Sequence, residues 1–335
     1  MKDKILITGA AGFIGSHLVD TLLKNGTPLS KLRLFVLPEE SLTNLPDKKF
    51  DIIRGDIRDK KIVKKSLENI TIVYHLAAKI DFDGKTYDEY KSVNVDGTKN
   101  FVDICKKKKI RKFVSYSSIG VHGLPAGIGD IVNWDETHDP TYTNFYGRSK
   151  WEAEEVVKEA HDKFKMPYAI IRPASVYGPR EKGPTLALFK AIQSGQFLTI
   201  GNGENKMHYV YVQDLVDATI LAANSKLRSG EYIIGGAKPS TMNEIVELVA
   251  KSIGVTKPKY SLPKNIALVI SYILLLVTKI TGIKLPLFPS RVKTMTTTYF
   301  YNISRAKKEL GYKPKFSFKK GINITGKWYI KNKYL

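Results

Sequence analysis

Three glycines spaced three residues apart, Gly9, Gly12 and Gly15, close a short apolar run and open a helical one, and they narrow the fold more than any other feature of the chain. In Thr8-Gly9-Ala10-Ala11-Gly12-Phe13-Ile14-Gly15, Gly9 permits a tight turn, Gly12 lets backbone N–H groups approach a pyrophosphate, and Gly15 lets helix and strand pack closely. The start of the helix, at Phe13 and Ile14, adds partial positive charge to that turn. The spacing is G-x-x-G-x-x-G rather than the commoner G-x-G-x-x-G.

Apolar strand-like runs at Ile5–Thr8, Leu32–Leu37, Ile52–Arg54, Ile72–Leu76, Phe113–Tyr116 and Ala169–Arg172 alternate with amphipathic segments such as Ile14–Lys24, Lys91–Lys107 and Ser149–Phe164. Strands separated by helices imply crossovers and a parallel sheet covered on both faces, an α/β doubly wound architecture. Beyond about residue 173 the alternation weakens, with helices expected near 212–224 and 241–252 and a strand at Tyr232–Ile234. The expected division is a nucleotide-binding domain over 1–172, with parts of 205–235 returning to it, and a smaller substrate domain over 173–335.

The 335 residues are 43% hydrophobic and 26% charged, which excludes a disordered chain. Cys105 is the single cysteine, so an internal disulfide and a thiolate metal cluster are excluded, and a reducing cytoplasmic setting is expected. The opening MKDKILITGA enters strand-like sequence at once, and no leader is expected. The net charge of +22 is uneven: residues 248–335 carry 18 Lys or Arg against Glu309 alone, a net +17. Such a field suits an anionic partner, although 44 lysines against 10 arginines also fit a general lysine habit on solvated faces. Asn265–Thr278 is uncharged and lies between Lys264 and Lys279. At fourteen residues it is shorter than the ~20 needed to span a bilayer. It reads first as a buried or substrate-covering helix and second as a peripheral contact with an anionic membrane.

After the second strand stands Leu37-Pro38-Glu39-Glu40, where a ribose-binding acid or a phosphate-binding arginine would be sought. The two glutamates would repel a 2′-phosphate, which favours NAD and leaves NADP open. Gly55-Asp56-Ile57 follows the third strand, and the Asp56 carboxylate there could accept a bond from an adenine amino group. Tyr146-Gly147-Arg148-Ser149-Lys150 puts a phenol and an ammonium four residues apart, on one helix face. A neighbouring ammonium favours the phenolate, so Lys150 is expected to lower the Tyr146 pKa and make it a base. Ser118, ending the fifth strand beside Ser117, could hold the substrate oxygen near that phenol. His75, His122 and His208 read as packing or surface residues, and no metal-ligand spacing is present.

With those residues in view the chain resembles the extended short-chain dehydrogenase/reductase family, also called the NAD-dependent epimerase/dehydratase family. The resemblance rests on TGAAGFIGSH at 8–17, GDIRD at 55–59, HLAA at 75–78, NVDGT at 94–98, SS at 117–118, YGRSK at 146–150, IIRPASVYGP at 170–179 and YVQDLVDA at 211–218. It implies a Rossmann-like sheet of about seven parallel strands with a smaller C-terminal α/β substrate domain. It also implies a catalytic set of Ser118, Tyr146 and Lys150, and cofactor contacts from Leu76, Ala77, Ala78, Asn94, Pro173 and Val176. Sugar-nucleotide epimerases usually have asparagine where this chain has Ser175 and an arginine-aspartate pair where it has Met207-His208. The chain looks nearer the 3β-hydroxysteroid dehydrogenase and dihydroflavonol reductase branch.

The expected activity is therefore NAD(P)-dependent hydride transfer at a secondary alcohol or ketone of a cyclic, mostly apolar small molecule. A sugar-nucleotide 4-epimerase or dehydratase is the alternative, and an inactive nucleotide-binding module that binds RNA or membrane is a remote one. Family members are often homodimers through helices near 91–107 and 146–163. Nucleic acid is not the expected partner.

Overall fold

The computed structural model describes residues 3–80, 86–123, 131–282 and 288–335. Its centre is a sheet of seven parallel strands: β1 (Ile5–Thr8), β2 (Leu32–Val36), β3 (Asp51–Arg54), β4 (Ile72–His75), β5 (Lys112–Tyr116), β6 (Tyr168–Pro173) and β7 (Glu231–Ile234). Their spatial order is β7-β6-β5-β4-β1-β2-β3, which reverses direction between β1 and β4. In open α/β sheets that switch point leaves a crevice at the carboxyl ends of the strands.

Side chains alternate along each strand, and both faces of the sheet are covered, with the edge strand β3 only half-buried. Ile5, Ile7, Leu32, Leu34, Val114 and Ile171 pack on one face against α1 (Phe13–Lys24) and, further along the chain, Val212–Asn224. Leu6, Phe35, Val73, Phe113 and Ile170 pack on the other, against α2 (Lys60–Ser66), α3 (Gly97–Cys105) and α4 (Phe145–Phe164). Burial on both faces is why these strands read as continuous apolar runs. The helix expected over Lys91–Lys107 is instead a short turn at Tyr87–Tyr90, a π-helical stretch over Lys91–Asp96, and α3.

Past β6 the remaining helices are α5 (Pro184–Gln193), α6 (Val212–Asn224), α7 (Met242–Ile253), α8 (Lys264–Thr281), α9 (Pro289–Thr296), α10 (Ser304–Leu310) and α11 (Phe318–Lys331). Helices α6 and α10 return to the sheet, where Leu215, Ala218 and Ala306 join the core of the first face. Helices α5, α7 and α11 form a separate core around Phe189, Val246, Ile322 and Tyr329. Asp214, at the start of α6, fastens the two parts: its carboxylate accepts the backbone N–H groups of Lys315 and Phe316 at 2.8 and 3.1 Å. Among the described residues, three short strand pairs, such as Ser175–Tyr177 with Tyr209–Tyr211, stitch the second half, and a fourth joins Thr298–Tyr301 to Ile131–Trp134; none of these pairs was foreseen from sequence.

Helix α8 corrects the first expectation for Asn265–Thr278. Only Ala267 and Ser271 in it are buried, so it is a surface helix.

Among the described residues, an ion pair lies inside the fold. Arg172 of β6 donates two hydrogen bonds to Glu154 of α4, at 2.9 and 2.6 Å, with both side chains almost fully enclosed. Removing one member of such a pair strands the other charge. Glu154→Leu is therefore expected to lower the free energy of unfolding by about 3–5 kcal/mol in urea melts. Replacing both, as Glu154→Leu with Arg172→Met, should recover most of that loss.

Candidate active site

A cleft of about 610 Å³ opens at the switch point, lined by the segments that leave the carboxyl ends of β1 to β5. Gly9, Gly12, Phe13, Ile14 and Gly15 form one wall, Asp56 and Ile57 another, and Leu76, Ala77 and Ala78 the floor. Each glycine of the turn has a local reason. Gly9 has φ of 65°, and a Cβ on Gly15 would overlap the Gly9 carbonyl oxygen. Helix α1 starts at Gly12 with no side-chain cap and no acidic residue in its first turn. Its first N–H groups and its dipole are thus available to a phosphate group in the cleft.

Sequence reasoning did not single out Phe35, Gly55, Arg58, Lys79, Ile80, Val93 or Tyr116 as lining residues. Arg58 carried a signal, since it lies within the GDIRD motif. Its guanidinium binds both Asp56 carboxylate oxygens, with Nη2 at 2.6 Å, and holds that carboxyl below its usual range. The Asp56 carboxylate thus already serves an arginine in the cleft. Leu37 and Glu40 also line it, with Glu40 accepting the Leu37 N–H at 3.1 Å. Arg54 donates to the Leu37, Pro38 and Glu40 carbonyls and fixes that turn.

The floor is held by a chain of hydrogen bonds whose proton positions follow from geometry. Thr8 Oγ1 accepts the N–H groups of Leu76 and Ala77, each at 3.0 Å, so its own proton goes to His75 Nδ1 at 3.0 Å. Thr98 donates to the Asn94 carbonyl at 2.6 Å, so Thr98 accepts from His75 Nε2–H at 3.0 Å. Burial, with Lys150 nearby, drives the His75 pKa down to about 3 and keeps the ring neutral. His208 is likewise structural, with Nε2–H donating to the Gly236 carbonyl and Nδ1 accepting the Tyr301 N–H.

Asn94, expected to touch a cofactor, is buried and fully engaged instead. Its Oδ1 accepts the Lys79 N–H at 2.8 Å, and its Nδ2 donates to the Lys79 carbonyl and to Ser149 Oγ. It ties the cleft floor to α4. Pro173 and Val176 were also expected at the cofactor; they lie at the end of β6 and in the next short strand, outside the lining set.

Tyr146 and Lys150 sit in the first turns of α4, whose N-terminus is capped by Asn144 Oδ1 accepting the Gly147 N–H at 2.7 Å. Ser118 ends the segment after β5; its Oγ accepts the Gly120 N–H at 3.0 Å, and its hydroxyl is hydrogen-bonded to Tyr146. Gly147 allows the approach, because a Cβ there would overlap the Gly120 carbonyl. Ser117 differs: its hydroxyl is buried with no partner. Lys150 is buried and donates from Nζ to the Tyr116 carbonyl at 2.8 Å, with Nζ 6.0 Å from the Tyr146 ring centre.

The electrostatics depart from expectation. Burial lowers the Lys150 pKa to about 8, against a partial counter-effect from Glu154. Tyr146 is not lowered. Burial raises it, and only the Ser118 hydrogen bond works the other way. The ammonium donates to the Tyr116 carbonyl, and burial rather than its charge governs the phenol.

The model of the 3-beta hydroxysteroid dehydrogenase/isomerase family matches residues 6–264. The chain is 29% identical over 330 residues to the N-acetyl-alpha-D-glucosaminyl-diphospho-ditrans,octacis-undecaprenol 4-epimerase of Escherichia coli O157:H7, covering 97% of this chain and 95% of that protein. It is 30% identical over 347 residues to the decarboxylating sterol-4-alpha-carboxylate 3-dehydrogenase of Candida albicans, covering 97% of each. Among solved structures, UDP-glucuronic acid 4-epimerase from Bacillus cereus in complex with NAD superposes with a TM-score of 0.76 at 27% identity, covering 99% of this chain and all of that one.

The role given to Thr8 can be checked without any ligand. Thr8→Val keeps the shape but leaves the Leu76 and Ala77 N–H groups without their acceptor, and it should cost about 1–3 kcal/mol in denaturant unfolding. Thr8→Ser should retain most of the wild-type stability.

Proposed function

The chain belongs to the 3-beta hydroxysteroid dehydrogenase/isomerase family, within the extended short-chain dehydrogenases/reductases, and on that footing we propose that it oxidises or reduces a secondary alcohol or ketone on a cyclic, mostly apolar substrate. It is an NAD-dependent enzyme. The glycine turn, the uncapped start of α1 and the cleft beside them fit a dinucleotide, with Gly12, Phe13, Ile14 and Gly15 at its phosphates and Leu76 to Ala78 beneath it. When bound, NAD supplies a nicotinamide that takes up or returns hydride at the substrate's carbinol carbon.

The remaining work falls to three side chains. Tyr146 exchanges the hydroxyl proton of the substrate, Ser118 orients the substrate oxygen toward that phenol, and Lys150 holds positive charge beneath both. The observation that carries this reading is the hydrogen bond between Ser118 and Tyr146 with Lys150 one helical turn away. Because burial holds Tyr146 above its ordinary pKa, the phenolate needs added positive charge to be a competent base near neutral pH.

A second reading has a specific observation behind it: the Escherichia coli relative that matches almost the whole chain is a 4-epimerase of a polyprenol-diphosphate sugar. In an epimerase the same three residues would remove and return the proton within one turnover. Incubation with NAD and a panel of hydroxysteroids, UDP-sugars and polyprenol-diphosphate sugars separates the two. A dehydrogenase produces NADH in proportion to ketone, whereas inversion at one carbon with no net NADH would replace the first reading by the second.

Tyr146→Phe is expected to keep NAD affinity within about twofold in calorimetric titrations, while turnover falls by roughly 10²–10⁴. Equal turnover in that variant would remove Tyr146 from the chemistry.

Lys150 gives a pH signature. Its pKa of about 8 means that the ammonium is present below that pH and lost above it. If this charge assists binding, NAD affinity should fall as pH rises through about 8, by up to tenfold per unit. Lys150→Met should bind more weakly at pH 7 and show no such fall.

A further inference from the structure

Helix α8 turns a row of large apolar side chains toward solvent. Its inward side carries Ala267, Ser271 and Thr278, with Leu268 packed beside Ala267 against Ile200 and Val292, and the Thr278 hydroxyl is enclosed without a partner among the described residues. Its outward face carries Ile266, Val269, Tyr272, Ile273, Leu276 and Ile280, each between 51% and 75% exposed. These six recur at helical spacing and make one apolar stripe along the 18 residues, opposite the docked face. A surface helix of a water-soluble domain places those two classes of residue the other way round, and a contiguous exposed apolar stripe marks an interaction site.

The charges around the stripe select what covers it. Lys264 and Lys279 stand at its two ends, exposed Lys257 and Lys259 precede it, and exposed Tyr260 lies beside it. The segment 248–335 that contains it has a net charge of +17. A second copy of the chain would bring the same positive field to the same face, which opposes self-association. A surface of anionic lipid complements it: branched side chains enter the acyl boundary, tyrosines sit at the headgroups, and lysines extend to phosphates. Because Ala267 and Ser271 are docked against the protein, the helix lies along such a surface with one face free, rather than crossing it.

We propose that α8 is a membrane-docking helix that holds the protein on anionic bilayers through the stripe from Ile266 to Ile280. This goes beyond the proposed reaction and does not rest on it.

Co-sedimentation of the full-length protein with vesicles tests it. Vesicles of phosphatidylcholine alone are compared with vesicles in which about a third of the lipid is phosphatidylglycerol. The wild type should partition at least tenfold more strongly to the anionic vesicles, and the advantage should shrink with salt. Ile273→Asn combined with Leu276→Asn should reduce that binding at least tenfold. Lys264→Gln combined with Lys279→Gln should reduce it severalfold and weaken the salt dependence. Ile273, Leu276 and Lys279 are exposed and Lys264 is half-buried, and unchanged NAD binding verifies that both double variants are folded. Tyr146→Phe should bind vesicles like the wild type, so a failed mechanism and a failed membrane contact give different results. No retention of the wild type on anionic vesicles overturns the proposal, as does equal retention of the Ile273/Leu276 variant. A wild-type dimer that this variant converts to monomer, without any vesicle binding, assigns the face to a second copy instead.

Discussion

A relay of three side chains, Thr8, His75 and Thr98, ending on the main-chain carbonyl of Asn94, ties the sheet to the segments at its carboxyl edge. It begins at the end of β1, passes through the last residue of β4, and reaches the π-helical stretch that leads into α3. Each donor has one acceptor in sequence, so the order of protons along the relay is determined. From Asn94 it branches to the backbone of Lys79 and to Ser149 on α4, whose own hydroxyl returns to the Tyr146 carbonyl at 2.8 Å. The floor of the cleft and the helix carrying Tyr146 and Lys150 therefore share one buried polar network. Such networks are rigid when complete, because an orphaned polar group inside the protein is costly.

That rigidity bears on the chemistry. Lys150 has been drawn out of water and given a single carbonyl acceptor, which brings its proton affinity close to physiological pH. Tyr146 has been moved the opposite way by the same enclosure. Each pKa unit corresponds to about 1.4 kcal/mol, so enclosure alone raises the cost of forming the phenolate. The site is arranged to respond to charge brought by its ligands. The membrane face proposed on α8 lies in the second half of the chain, and its apolar stripe would bring the enzyme to the phase in which the proposed substrate, an apolar ring alcohol, dissolves.

Much of this was legible in the chain because the strong signals are local. Strands buried on both faces announce themselves as unbroken apolar runs, and six of the seven main strands are legible that way in the sequence, with Tyr232–Ile234 as the seventh. The glycine spacing identified the turn, since only residues without Cβ fit between Gly9 and Gly15. Other features depend on partners distant in sequence. Nothing near Asn94 reveals that its amide would be consumed by Lys79 and Ser149, and nothing near Lys150 reveals that its ammonium would serve Tyr116. The π-helical stretch spans its hydrogen bonds one residue further than the expected α-helix, a difference that periodicity over so short a run does not resolve. For α8, composition shows an apolar helix but not which side meets the protein. Only the fold shows that the small and hydroxyl-bearing residues face inward.

The most direct test of the central claim is a crystal structure of the complex with NAD. The account predicts the pyrophosphate over the start of α1 and the Tyr146 hydroxyl facing the nicotinamide, with Ser118 beside it and the Thr8–His75–Thr98–Asn94 relay unchanged. A nicotinamide lodged elsewhere, with Tyr146 turned away from it, would contradict it.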